Sequence, residues 1–239
     1  MKRILMMVLR NIYLVPFMWI KLCYHAAHTD KYTDYEQFLL LRYITRRANK
    51  GGNVEISVSG EENVPKEDGF IYFPNHQGLY DVLAMLEASP KPFAAVPKKE
   101  VKDIQFLKQV LACMKTYTLD REDVRQAMKV IANVSKEVME GRNYLIFPEG
   151  TRSKKGNVTL EFKAGSFKAA TKAKCPIVPV ALVDSFRPFD TNTISPVKVQ
   201  VHFLKPLYYE DYKDMKTKEI AAYVKEKIDE KIAEAVMNN

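Results

Sequence analysis

Short runs of apolar residues alternate along this chain with longer stretches in which apolar positions recur every three or four residues. The runs near 54–58, 70–74, 92–96, 115–118, 143–147, 177–183 and 197–204 predict strands. The stretches near 79–88, 103–113, 122–140, 164–174 and 216–236 predict helices; in the last, Ile220, Val224, Ile228 and Ile232 return to one face. Such alternation predicts an α/β fold with a mostly parallel central sheet and helices on both faces. A length of 239 residues with 47% hydrophobic content supplies the core of one such domain, expected over 51–239, with an appended element over 1–50.

The first fifty residues break the rhythm. Ile4 to Tyr24 is strongly apolar, yet Arg10, Pro16 and Lys21 interrupt it, which suits a full membrane crossing poorly. On one continuous helix, Arg3, Arg10, Lys21, His25 and His28 fall within a sector of about 60°. A narrow polar stripe beside a broad apolar surface predicts a helix lying in the bilayer interface, with Leu5, Leu9, Ile12, Phe17 and Ile20 in the acyl boundary. Tyr35 to Arg47 continues the pattern, with Phe38, Leu39, Leu41 and Ile44 apolar and Arg42, Arg46 and Arg47 basic. The expectation is a two-helix membrane-docking element; a helix packed on the core is the alternative. A signal peptide is disfavoured by Arg10 inside the apolar run.

Two predicted strands end in strings that carry chemistry, at the position where α/β folds build their sites. The first is Asn75-His76-Gln77-Gly78-Leu79-Tyr80-Asp81. Residues five apart on a helix point about 140° away from each other, so His76 and Asp81 meet only if residues 75–78 form a turn and the helix starts near Leu79. A carboxylate in that first turn stays ionised beside the helix dipole and accepts the Nδ1 proton of His76, leaving Nε2 as a base. The second string, Phe147-Pro148-Glu149-Gly150-Thr151-Arg152-Ser153, offers an anion clamp: a guanidinium fork suits a phosphate monoester, and Gly150 permits close backbone approach. With no nucleophilic Ser or Cys evident beside the dyad, the economical chemistry is direct attack by a substrate hydroxyl that His76 deprotonates.

In order, these two strings, Tyr117-Thr118-Leu119-Asp120-Arg121 between them, and Ile177-Val178-Pro179-Val180-Ala181-Leu182 after them resemble the four motifs of the glycerolipid acyltransferases, and most closely the 1-acyl-sn-glycerol-3-phosphate (lysophosphatidate) acyltransferase branch. The resemblance covers roughly residues 54 to 205. It implies that His76 is the general base and Asp81 its partner. It also implies that Glu149, Gly150, Thr151 and Arg152 bind the phosphate-bearing acceptor, with Arg121 and Lys98 or Lys99 as further contacts. Glu149 is expected to orient Arg152 or receive a glycerol hydroxyl, or else to form an ion pair that holds its loop. The oxyanion is expected to meet a backbone N–H near Gly78 or Gly150. Asp120 is expected at the N-cap of the following helix, with Asp123 at its third position.

The implied reaction moves a fatty acyl group from acyl-CoA or acyl carrier protein to the sn-2 hydroxyl of a lysophosphatidate, with no metal or tightly bound cofactor. Glycerol 3-phosphate or another lysophospholipid is the alternative acceptor, and a non-catalytic lipid-binding protein the alternative class. The formal charge of +8 fits an anionic ligand or bilayer: residues 152–174 hold seven Lys or Arg against Glu161 alone. Nucleic acid is the competing partner for a basic surface, but no nucleic-acid motif is present. Three widely spaced cysteines, Cys23, Cys113 and Cys175, form neither a disulfide framework nor a metal set. The expected location is therefore the cytoplasmic face of a membrane, bound peripherally or monotopically.

Overall fold

A computed structural model of the chain describes residues 2–98, 105–120 and 123–238, the side chain of Val124 excepted. Three helices come first: α1 (Lys2–Arg10), α2 (Val15–Ala27) and α3 (Asp34–Gly52). The α/β part then runs β1 (Val54–Ser59), β2 (Ile71–Pro74), α4 (Asp81–Ala88), β3 (Ala94–Ala95), α5 (Gln105–Cys113), α6 (Val124–Met139) and β4 (Tyr144–Leu145). It continues through α7 (Lys168–Ala173), β5 (Ile177–Val183), α8 (Arg187–Asp190), β6 (Val197–Phe203), α9 (Tyr209–Tyr212) and α10 (Thr217–Met237).

The six strands form one mixed sheet in the order β1-β6-β5-β2-β4-β3. All neighbours are parallel except β5 and β6, so the expected mostly parallel sheet is present with one antiparallel pair. β2 and β5 are buried along their whole length, as strands covered on both faces must be. One apolar cluster joins the sheet to α3 and α4; a second joins the other face to α6, α7 and α10. Because β2, β3, β4 and β5 run parallel, the loops after them emerge along one edge.

Two expected elements differ. Residues 115–118 form no strand: Lys115 turns the chain with φ 48°, and only Leu119 bridges to Lys98. The Arg142 guanidinium, held by Asp34 and Glu137, donates to the carbonyls of Met114 and Lys115. These carbonyls therefore find a partner without a strand neighbour. The cap of α6 is Asp123, which accepts from the Arg125 and Gln126 amides, so the N-cap assigned to Asp120 is corrected.

The N-terminal stripe is also corrected, because the continuous helix it assumed does not form. Pro16 lacks the N–H that an unbroken helix would need, the Asn11 side chain donates to the carbonyls of Met7 and Arg47, and α1 and α2 meet at 98°. Arg3 therefore points inward, 1% exposed, donating to the carbonyls of Gly52 (2.5 Å), Thr193 (3.1 Å) and Ser195 (2.8 Å). Arg10 reaches Asn53, and His25 is buried against Gln37 and Tyr32. Of the five stripe residues, Lys21 stays exposed and unpaired among the described residues. Outside lie Leu5, Leu9, Ile12, Tyr13, Phe17 and Ile20. Among the described residues no single helix is long and apolar enough to cross a membrane.

Candidate active site

Residues after β2 form the expected turn, and α4 begins at Asp81 itself. The Asp81 carboxylate, 0% exposed, lies at the helix N-terminus, where the dipole favours negative charge. Its Oδ2 accepts from His76 Nδ1 (2.7 Å), from the Gln77 amide (2.6 Å) and from the Gly78 amide (3.0 Å). With Nδ1 donating, the neutral imidazole carries its lone pair on Nε2. The ring stacks on Phe147 at 4.0 Å between centroids and keeps 19% of its side-chain surface accessible.

Glu149 does something other than expected. It is buried, its Oε1 accepts from the His76 amide (2.6 Å) and its Oε2 from the Leu160 amide (2.9 Å). Oε1 thus ties the loop after β4 to the loop after β2, Oε2 braces the loop after β4 across its own residues, and no ion pair links Glu149 to Arg152 among the described residues. The Ser153 amide donates back to the His76 carbonyl at 2.8 Å, so the histidine backbone is held on both sides. Burial pushes the Glu149 carboxyl above its ordinary range, against the opposing pull of the two amides.

The oxyanion donors expected at Gly78 and Gly150 are both already engaged. Gly78 N–H donates to Asp81, and Gly150 N–H to the Phe147 carbonyl at 3.1 Å. Gly150 sits at φ 71°, and a Cβ there would lie 3.1 Å from Lys163 Nζ. The left-handed backbone is what calls for glycine here, and a side chain in its place would also press on the flexible end of Lys163.

A cavity of about 1120 Å³ connects these groups. His76, Lys98, Gly150, Thr151 and Arg152 contribute to its polar part, so the structure gathers these predicted site residues around one space. Arg121 and Lys99 lie outside the described residues. Lys154, Lys163 and Lys168 also line the cavity, and among the described residues no acidic side chain does. Arg152 and these lysines make no ion pair among the described residues. The charge run over 152–174 was visible in sequence, but which lysines reach the cavity was not. Leu22, Leu41, Leu83, Leu86, Val110 and Met114 line the apolar part, drawn from α2, α3, α4 and α5 and the turn after α5. Among the described residues no three His, Cys, Asp or Glu side chains converge as metal ligands would.

The Acyltransferase family model matches residues 55–183. The chain is 33% identical over 167 residues to a 1-acyl-sn-glycerol-3-phosphate acyltransferase of Borreliella burgdorferi, a match covering 69% of this chain and 66% of that protein. It is 33% identical over 165 residues to the protein of the same name from Escherichia coli, covering 69% and 67%. The aligned segment thus spans about two thirds of the length of these relatives. In fold, the chain is similar to the crystal structure of a 1-acyl-sn-glycerophosphate (LPA) acyltransferase, PlsC, from Thermotoga maritima: the TM-score is 0.77 at 23% identity, covering 98% of this chain and 96% of that one. With more than half of its length matched by the family and a third of the aligned residues shared with two named acyltransferases, the chain belongs to the acyltransferase family.

Proposed function

We propose that the protein acylates the sn-2 hydroxyl of 1-acyl-sn-glycerol 3-phosphate, giving phosphatidate, with acyl-CoA or acyl carrier protein as donor. The observation that carries this reading is the buried Asp81 carboxylate on His76 Nδ1, with His76 lining a cavity to which Lys98, Arg152 and three further lysines contribute beside many apolar side chains. His76 Nε2 takes the proton of the acceptor hydroxyl as its oxygen attacks the thioester carbonyl carbon. The tetrahedral intermediate collapses, the C–S bond breaks, and the thiolate leaves with the proton returned by the imidazolium. Arg152 and Lys98 hold the acceptor phosphate, which orients the glycerol hydroxyl over the base.

Both lipids in this reaction prefer a bilayer to water. The exposed residues Leu5, Leu9, Ile12, Phe17 and Ile20 are the surface we assign to peripheral docking on the cytoplasmic face of a membrane. The deciding experiment incubates purified protein with vesicle-borne lysophosphatidate, glycerol 3-phosphate and other lysophospholipids, each with both donor types, and reads products by mass. Phosphatidate from the wild type and none from His76→Ala is expected. Lipid binding without any acyl product would turn the reading into that of a lipid-binding protein.

A further inference from the structure

The two oxygens of Asp81 are held very differently. Oδ2 takes all three donors described above, whereas among the described residues Oδ1 takes one, the Ser185 hydroxyl at 2.6 Å. Ser185 is fully buried, two residues beyond the end of β5. It reaches the carboxylate because Asp184 turns the chain with φ 59°, a left-handed conformation that a non-glycine residue keeps only when its surroundings fix it. Those surroundings are present. Asn157 donates to Asp184 Oδ1 at 3.0 Å and accepts from the Asp184 amide at 2.8 Å. On the other side Arg187 pairs with Asp184 Oδ2 at 3.1 Å.

A second acceptor, Gln77 Oε1, lies 3.0 Å from the same hydroxyl. Its amide orientation is set by Nε2, which donates to Asn157 Oδ1 (2.8 Å) and to the Leu182 carbonyl (2.9 Å). A hydroxyl has one proton, and the nearer, charged oxygen is the stronger acceptor. Without that donor Oδ1 would be a buried charged oxygen with no partner among the described residues, and the terminal torsion of an aspartate is soft enough to swing it toward His76.

We propose that Ser185 is a positioning residue for acyl transfer: its hydroxyl fixes the Asp81 carboxylate so that Oδ2 faces His76 and Nε2 remains the base. The proposal rests on the acyltransferase reading above. Its test is a double-mutant cycle of Ser185→Ala and Asp81→Asn, with kcat and KM measured for both substrates and Tm for every variant. Ser185→Ala is expected to stay folded, to lower kcat about tenfold or more, and to leave both KM values within about twofold. In the Asp81→Asn background the same substitution is expected to add almost nothing. An unchanged kcat, or an equal loss in both backgrounds, would overturn the positioning role. Absence of phosphatidate from the wild type would instead defeat the acyltransferase reading, so the two failures are distinguishable.

Discussion

The dyad and the basic side chains that share its cavity are built on opposite principles. Around Asp81, four donors converge on one carboxylate with no access to water, and Glu149 and Ser153 hold the His76 backbone. Arg152, Lys98, Lys154, Lys163 and Lys168 line the same space, and among the described residues no carboxylate does. A base must be aimed before substrate arrives, so its bonds are satisfied within the protein. A phosphate clamp, the role proposed for these side chains, must leave its donors open for the ligand, and Arg152, Lys154, Lys163 and Lys168 form no ion pair among the described residues.

The comparison is broken most severely at the base. His76→Ala is expected to reduce turnover on the order of 10³-fold, and Asp81→Asn on the order of 10²-fold because the tautomer is no longer fixed. Acceptor binding to either variant, followed by vesicle co-sedimentation or calorimetry, should change little. Retention of most activity by His76→Ala would end the mechanism.

The basic side chains should respond in KM instead. If Arg152 holds the phosphate as proposed, Arg152→Ala removes a charge-assisted contact worth ~1.5 to 3 kcal/mol, so acceptor KM is expected to rise about 10- to 150-fold with a smaller change in kcat. If donor KM moves and acceptor KM does not, Arg152 serves the thioester side. A third variant tests where the cavity meets lipid. Deleting α1 and α2 would also remove the buried Arg3, Met7 and Leu22, so substitutions on the outer face are cleaner. Leu9, Phe17 and Ile20, each changed to Ser, should leave Tm nearly unchanged. They should lower liposome flotation and slow turnover severalfold on vesicle-borne acceptor, with less loss in detergent. Equal flotation of variant and wild type would move the membrane contact elsewhere.

The smallest effect concerns Glu149 and pH. Because burial raises its carboxyl, the folded protein binds that proton more tightly than the unfolded chain. The stability this gives is complete below the ordinary carboxylate range and fades as pH rises through the raised folded value. Glu149→Gln cannot titrate, so the Tm advantage of the wild type over this variant should shrink as pH rises across that window. A difference that stays flat with pH would show that the Glu149 carboxyl does not titrate differently in the folded protein.

The sequence alone determined the family resemblance and most of the sheet. His76 and Asp81, five residues apart around Gly78, meet through a turn followed by a helix start, and the apolar runs after Gly69 and before Pro148, bounded by Gly and Pro, form the buried strands expected of them. These are local facts, set by steric limits over a few residues. Tertiary structure decided where no local rule reaches. Glu149 looks like a clamp residue in its string, but the loop it must tie is brought beside it only by the pairing of β2 with β4. Ser185 follows the last motif with no pattern of its own and meets Asp81 because β5 lies next to β2. The N-terminal stripe was sound arithmetic for one helix, but the 98° break between α1 and α2 turned Arg3 into the protein and its apolar neighbours out. Periodicity fixes which residues share a face of an element; only the packing of elements against each other fixes what that face meets.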